Sequence, residues 1–224
     1  RRSSILDNDG DDCGGLFNQG TALLENVTVH GNAGYLGGAY CSYGALMILG
    51  STVSENVTDV APYAAPLYGQ ATVGGTIIAN NGTSCADVDD CLVDCGLTQS
   101  LGKNLVETDC PGIAWYPSDL HGAPGAPLDA RLAPLAYNGG TTPTHALLPG
   151  SPAIDAADQE NSFPDFLDVD DDGDQAEYFP DPDLNPRPWD DPDVPNTGHG
   201  DPSYFDMGAY ERQAQGALPT EEAA

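Results

Sequence analysis

The chain repeats the pattern of one segment, Gly44-Ala-Leu-Met-Ile-Leu-Gly-Ser-Thr-Val-Ser-Glu-Asn56, and this repetition indicates the fold. Matching blocks run from Gly20 to Asn32 and from Gly69 to Asn81, and Ser4-Ile-Leu-Asp-Asn8 matches the end of a further block. The asparagines that close the blocks are spaced 24, 24 and 25 residues apart: Asn8, Asn32, Asn56 and Asn81. A fixed period of this length is the signature of a repeat architecture.

Apolar residues occupy the third, fifth and tenth positions of every block. They are Ala22, Leu46 and Ala71, then Leu24, Ile48 and Val73, then Val29, Val53 and Ile78. Alternation through the third and fifth positions predicts strands, and the glycines between blocks predict turns. Because one such coil buries its inner face only by stacking on its neighbours, we predict an all-β parallel β-helix with about 24 residues per coil. A leucine-rich repeat has a similar period but a denser leucine pattern.

The closing asparagines are predicted to form an internal ladder. Stacked asparagines hydrogen-bond to one another along the axis of a solenoid and fix its turns. The alternative is a set of unrelated turn residues. Their recurrence in phase with the apolar positions favours the ladder.

Charge and cysteine content limit the function classes. Asp and Glu number 35 against 6 Lys and Arg, for a formal net charge of -29. Such a field repels nucleic acid and anionic membrane surfaces, and it favours cations, above all calcium, or a high-salt habitat. The 6 cysteines favour an oxidising compartment, so we expect an extracellular or cell-surface protein. No apolar run is long enough to span a membrane.

Several segments resemble bacterial proteins that carry the choice-of-anchor Q domain, relatives of the polymorphic outer-membrane-protein β-helices. The most specific is Asn138-Gly-Gly-Thr-Thr-Pro-Thr-His-Ala-Leu-Leu-Pro-Gly-Ser-Pro-Ala-Ile-Asp155. The others are Leu132-Ala-Pro-Leu135, Asn185-Pro-Arg-Pro188, Asp206-Met-Gly-Ala-Tyr-Glu211 and Ser100-Leu-Gly-Lys-Asn-Leu105. The resemblance implies a right-handed β-helix, export, a C-terminal anchor and no established catalysis. No sorting signal follows Glu211, so we expect the anchor to be absent or removed.

These features together predict three parts of the chain. Residues 1–110 form the parallel β-helix coils. Residues 111–211 form an irregular Gly/Pro/Asp-rich segment, similar to the choice-of-anchor Q domain, that packs on the helix or caps it. Residues 212–224 form a polar tail.

Alternating carboxylates predict a calcium site. Asp168, Asp170, Asp172 and Asp174 have the spacing of the first half of a calcium loop, with Gly173 at the turn. The glutamate expected at the twelfth position is missing, since Phe179 occupies it. A weaker second candidate consists of Asp7, Asp9 and Asp11. The alternative for both is a solvated acidic loop.

The cysteines are interpreted as disulfides. Cys85, Cys91, Cys95 and Cys110 lie close together in sequence, and their spacing differs from the paired knuckles of four-cysteine zinc sites. We therefore predict two disulfides of open connectivity. Cys13 and Cys41 are further candidates, although the repeat alignment places them at different points of consecutive coils.

Two function classes follow. The first is a structural or adhesive surface module without enzymatic activity, whose partners are cell-surface or matrix carbohydrate or further copies of the chain. Ser4 begins only the second half of a coil, which is consistent with end-to-end assembly into filaments. The alternative, which the sequence does not separate from it, is that the chain was cut here and that earlier coils are missing. Five tyrosines lie between blocks: Tyr35, Tyr40, Tyr43, Tyr63 and Tyr68. Aromatic packing in the turns is the favoured interpretation, and a surface for carbohydrate or partner contact is the alternative.

The second class is a carbohydrate-active enzyme acting on acidic polysaccharide. Gly198-His199-Gly200, Asp171-Asp172 and Asp190-Asp191 resemble parts of a polygalacturonase site. The Gly-His-Gly lies in a Pro-rich, non-repeating region, which favours a turn histidine. His30, His121 and His145 are dispersed in the sequence, so no metal-binding pair of histidines is predicted.

Overall fold

The computed structural model is an all-β parallel solenoid of about 3 turns with ~24 residues per coil. It describes residues 1–58, 67–83, 97, 99–109, 112–123, 125–158, 182 and 187–213, and these contain no α-helix. The predicted fold class is confirmed.

Each complete coil contributes one short strand to each of four parallel sheets. The strands of the first coil are β1 (Ser3–Leu6), β2 (Asp9–Gly10), β3 (Leu16–Asn18) and β4 (Thr21–Glu25). Those of the second are β5 (Val27–His30), β6 (Ala33–Gly34), β7 (Tyr40–Ser42) and β8 (Ala45–Leu49). Next follow β9 (Thr52–Ser54), β10 (Val57–Thr58), β11 (Leu67–Gly69) and β12 (Thr72–Gly74). The last strands are β13 (Ile77–Ala79), β14 (Gly82–Thr83), β15 (Gln99–Ser100), β16 (Leu105–Val106) and β17 (Leu120–His121).

The longest sheet, here called sheet 1, has the order β1-β5-β9-β13-β16-β17. The other sheets are β2-β6-β10-β14, β3-β7-β11 and β4-β8-β12-β15. In sheet 1, Val29 pairs with Val53 and Val53 with Ile78, so the blocks stack in the register of the repeat. Strand β17 lies beyond residue 110, where the sequence placed the end of the coils.

The predicted apolar positions form the interior. Ile48, Val53, Val73 and Ile78 are each fully buried, and the first coil adds the partly buried Ile5. Alternate residues of each strand face inward, so one column of apolar side chains runs along the axis. Burial of each such side chain stabilises the fold by roughly 1.5–3 kcal/mol.

An asparagine ladder runs up one corner of the coils. The Nδ2 of Asn32 donates to Oδ1 of Asn56 at 2.9 Å, and that of Asn56 donates to Asn81 at 2.9 Å. Asn8 donates to Asn32 at 2.8 Å at the lower end. Each Oδ1 also accepts the backbone N–H of the asparagine below, at 3.0–3.1 Å. Buried polar groups of the turn are therefore satisfied within the ladder.

A second polar ladder, not predicted from the sequence, occupies the corner before sheet 1. Ser51 Oγ accepts the N–H of Val27, and Asn104 Oδ1 accepts the N–H of Thr76, both at 3.1 Å. Asp119 Oδ1 accepts the N–H of Asn104 at 2.9 Å. The residues of this ladder differ in type from coil to coil, so no single residue type recurs in the sequence at these positions.

The C-terminal segment packs against the outer face of sheet 1. Outward residues of this face, among them Ile77, Ala79 and Leu105, form a second buried core with the segment. The segment contributes Ala130, Leu147, Ala153, Ile154, Ala156, Ala157, Phe205 and Met207. Its described residues therefore lie along the side of the solenoid.

Backbone hydrogen bonds fix this docking. The N–H of Gly208 donates to the carbonyl of Gly75 at 2.8 Å, and the N–H of Ala209 donates to Oγ1 of Thr52 at 3.0 Å. Gly208 has φ +93°, and a Cβ there would lie 2.7 Å from Cδ1 of Ile77. Only glycine allows this close approach.

Candidate functional site

Several predicted site residues lie outside the described part of the chain. These are the calcium candidates Asp168, Asp170, Asp172 and Asp174, and the cysteines Cys85, Cys91, Cys95 and Cys110. Both the calcium loop and the two expected disulfides remain predictions.

Cys13 and Cys41 form a disulfide with a Cα–Cα distance of 5.7 Å. Cys41 lies in β7, and Cys13 precedes β3 of the coil below. The bridge therefore links the first two coils on one face of the solenoid. Cys13 pairs with Gly37 and Phe17 with Cys41, so the two cysteines occupy different positions of consecutive coils, as the repeat alignment indicated, and still lie close enough to bond.

The acidic residues of the first turn lie on and beside the first two strands. Asp7 follows β1 with φ 52°, and Asp9 lies in β2. Within the described ranges, one group of three or more His, Cys, Asp or Glu side chains has all its ligand atoms within 4.8 Å of one another. That group does not include Asp7, Asp9 or Asp11.

The group consists of His30, Glu55 and His145, here called the His–Glu–His cluster. His30 ends β5, Glu55 follows β9 one coil above, and His145 belongs to the C-terminal segment. The Nε2 of His145 lies 3.1 Å from Nδ1 of His30 and 2.8 Å from Oγ of Ser54. Two coils and the docked segment therefore meet at one point.

Burial and hydrogen bonding orient His145. Its side chain is 1% exposed, and its Nδ1 lies 2.7 Å from the carbonyl oxygen of Ala133. A carbonyl only accepts, so Nδ1 carries the proton and Nε2 presents its lone pair to Ser54 and His30. Burial lowers the pKa of His145, which favours this neutral imidazole.

The expectation that His30, His121 and His145 stay dispersed is wrong for two of them. The rings of His30 and His145 lie 5.0 Å apart between centroids. The pair spans 115 residues and forms only because the C-terminal segment docks on sheet 1. The sequence feature that could have indicated this contact is the outward-facing position of His30 at the end of a predicted strand.

Carboxylates of the C-terminal segment form a second cluster. The N–H of Asp155 donates to Oδ1 of Asp206 at 2.8 Å, and the N–H of Asp206 donates to Oε2 of Glu211 at 3.1 Å. The guanidinium of Arg187 lies 3.3 Å from Glu211 and donates to Oδ1 of Asn26 at 3.0 Å. This network joins the segment to the corner before β5.

Burial raises the pKa of each carboxyl in this network. The pKa of Asp155 rises to about 7, through burial and then the charge of Asp190. The pKa of Asp206 also rises to about 7 through burial, and that of Glu211 is raised well above its usual value. Because the carboxyls point at backbone N–H groups inside the protein, their role is structural.

An exposed aromatic row crosses the face that carries the disulfide. Phe17 and Tyr43 contact edge to face at 5.8 Å between ring centroids, and Tyr43 and Tyr68 do so at 5.9 Å. Phe17 is 55% exposed and Tyr43 58% exposed. We call Phe17, Tyr43 and Tyr68 the aromatic row.

The other predicted tyrosines behave differently. Tyr40 is buried in the interior core, so it packs and does not belong to a contact surface. Its strand position points inward because it pairs in register with Leu16 and Leu67. Tyr35 is exposed, and Tyr63 lies outside the described residues.

A cleft of about 520 Å³ lies where the coils meet the C-terminal segment. Lys103, Tyr116, Asp158 and His199 contribute to its lining. Nζ of Lys103 donates to the carbonyl of Thr197 at 2.5 Å and lies 3.7 Å from Asp158. The residues that resembled a polygalacturonase site are thus separated: His199 lines this cleft, whereas Asp191 is buried in an ion pair with Arg212. Asp171 and Asp172 lie outside the described residues.

A scan against protein-family models and searches of curated proteins and of solved structures find no match to this chain. Among the described residues, no helix is long and apolar enough to cross a membrane.

Proposed function

We propose that this chain is an extracellular structural or adhesive module of the choice-of-anchor Q kind, and that the aromatic row contacts carbohydrate. The observation that carries the proposal is the exposure of Phe17 and Tyr43 on a disulfide-linked face. Large aromatic side chains cost free energy when left in water, and exposed ones that neighbour one another mark contact surfaces.

The scaffold supports this role. Successive strands of the face pair in register, Phe17 and Tyr68 both with Cys41, and the bridge from Cys41 to Cys13 crosses to the coil below. The rings of Phe17 and Tyr68 are therefore held on strands, and Tyr43 directly follows β7, so the row should lose little freedom on binding. A disulfide also favours an oxidising, extracellular compartment.

Charge selects the class of carbohydrate. A net charge of -29 repels anionic polymers, so we expect neutral polysaccharide. Sugar rings present apolar C–H faces to aromatic side chains, a contact that needs no charge. The test is affinity electrophoresis of the purified chain through gels containing soluble neutral or anionic polysaccharides. Retardation by a neutral polymer supports the proposal, and unchanged mobility in every gel contradicts it.

A carbohydrate-active enzyme is the second candidate, and the cleft beside Lys103 and His199 favours it. Inverting hydrolysis needs two carboxylates about 6.5–9.5 Å apart. The described lining offers one carboxylate, Asp158. Release of reducing ends or of unsaturated products from polysaccharide, abolished by His199→Ala, would establish this alternative.

Calcium is a further part of the proposal. Its support is the carboxylate spacing from Asp168 to Asp174 and the excess of negative charge. Calorimetric titration with calcium tests it directly. Binding that is lost in Asp170→Asn is the expected result, and absence of binding contradicts it.

End-to-end assembly is supported by the in-register stacking of parallel coils, because each coil pairs through the same backbone groups as the next. Sedimentation velocity across a concentration series tests it. Growth to larger species with concentration is expected for assembly, and a single monomeric species at all concentrations contradicts it.

A further inference from the structure

The His–Glu–His cluster lies on sheet 1 and takes no part in the proposed carbohydrate contact. We propose that His30, Glu55 and His145 bind one divalent transition-metal ion of the zinc class. The ligand atoms of the three side chains already lie within 4.8 Å of one another. Glu55 is exposed, so its side chain is free to turn toward an ion held by the two histidines.

The spacing of the two ring nitrogens fits a shared ion. In a tetrahedral zinc site with Zn–N distances near 2.0–2.1 Å, neighbouring ligand nitrogens lie about 3.3 Å apart. Nε2 of His145 and Nδ1 of His30 are 3.1 Å apart. The two nitrogens are thus preformed at the separation that an ion between them requires.

The surroundings of His145 are those of a metal-bound histidine. Its Nδ1 donates to the carbonyl of Ala133 at 2.7 Å, so Nε2 is the acceptor nitrogen, and an ion would take the place of the hydrogen bonds that Nε2 now accepts from Ser54 or His30. Histidine ligands commonly donate their second ring N–H to a carbonyl or carboxylate in this way. Because the side chain is 1% exposed, its orientation is set before binding.

The ligand types select the metal. Two imidazole nitrogens and one carboxylate suit zinc and its neighbours, whereas calcium prefers oxygen ligands throughout. Three protein ligands leave one position of a tetrahedral site for water. This site is therefore distinct in chemistry from the calcium loop predicted near Asp170.

A bound ion would tie three parts of the fold together. His30 lies on the second coil, Glu55 on the coil above, and His145 on the C-terminal segment. An ion held only by the folded state stabilises it by mass action. Metal would thus fasten the C-terminal segment to the solenoid.

The test is calorimetric titration of zinc into metal-free wild-type protein and variants. Wild type is expected to bind one zinc ion, with an increase in melting temperature. Glu55→Gln and His30→Gln should weaken binding at least about 100-fold, since loss of mere supporting groups already costs about 10–100-fold. In both variants His145 keeps its contacts with Ser54 Oγ and with the carbonyl oxygen of Ala133, so both are expected to fold.

His199→Gln and Asp193→Asn are the matched controls, because each removes an exposed histidine or carboxylate elsewhere. Both should bind zinc as wild type does. Equal affinity in wild type, Glu55→Gln and His30→Gln overturns the proposal. A sulfur-to-metal charge-transfer band with Co²⁺ in place of zinc would also overturn it, by placing the ion on cysteine.

Discussion

The N–H of Gly208 donates to the carbonyl oxygen of Gly75 at 2.8 Å, so the C-terminal segment bonds directly to a corner of the solenoid. The segment approaches so closely that a side chain at position 208 would enter the space of Ile77 and Thr52. Coils and segment therefore share a packed interface, and mutations within it should affect the stability of both.

Gly208→Ala is expected to lower the free energy of unfolding by about 1–3 kcal/mol, because the new methyl group overpacks the interface. Gly125→Ala is the matched control: Gly125 has φ +82°, near the +93° of Gly208, but open space around its Cβ position. Thermal denaturation followed by circular dichroism measures both. If the two variants lose the same free energy of unfolding, then backbone strain, and not the close approach to Ile77, explains the destabilisation at Gly208.

Asn56→Leu is expected to destabilise the protein by ~1–3 kcal/mol, because buried turn groups lose their partners. Asn56 Nδ2 donates to Val29 and Asn81, and its Oδ1 accepts from Asn32. Asn8→Leu, at the exposed lower end of the ladder, should cost less. Chemical denaturation provides the comparison, and an unchanged midpoint for Asn56→Leu would show that the ladder does not contribute to stability.

Stability should fall as pH rises from about 4 to 7. The raised pKa values of Asp155 and Asp206, about 7 for each, mean that the folded chain retains protons which the unfolded chain has released in this range. The unfolded state then binds fewer protons, so the free energy of unfolding decreases with pH, by at most about 1.4 kcal/mol per pH unit for each group, and the contribution of these two groups levels off above 7.

The test of this pH dependence is urea denaturation at several pH values. Asp155→Asn and Asp206→Asn should each flatten the slope between pH 4 and 7. Asp193→Asn removes the same charge from an exposed position and should keep the wild-type slope. If all three variants show the same slope, general charge repulsion and not the buried carboxyls causes the dependence.

The coils were predictable because a solenoid repeats its chemistry. The 24-residue period of the sequence is enough to predict two features of the coils. They are the apolar column of Val29, Val53 and Ile78, and the ladder through Asn32 and Asn56. Each repeat experiences the same environment, so the same residue types recur. The second ladder escaped notice because serine, threonine, asparagine and aspartate fill the same role in turn.

The His–Glu–His cluster was not predictable in this way. His30 is one outward residue of a regular block, whereas His145 lies in a segment without repeats, and their contact depends on how that segment docks. Neither periodicity nor spacing encodes such a contact. The aromatic row was partly predictable, since Tyr43 and Tyr68 fall between blocks, but Phe17 and the burial of Tyr40 required the strand register.

The most direct test of the proposed function compares polysaccharide binding by Tyr43→Ala, Phe17→Ala and Tyr137→Ala. Tyr137 is 72% exposed and lies outside the aromatic row, so it controls for loss of any surface tyrosine. Affinity for the neutral polymer that retards wild type should fall about tenfold or more in the first two variants, a loss of about 1.4 kcal/mol. Their melting curves must show that they are folded. Wild-type affinity in folded Tyr43→Ala and Phe17→Ala, or an equal loss in Tyr137→Ala, would contradict the claim that the aromatic row binds carbohydrate.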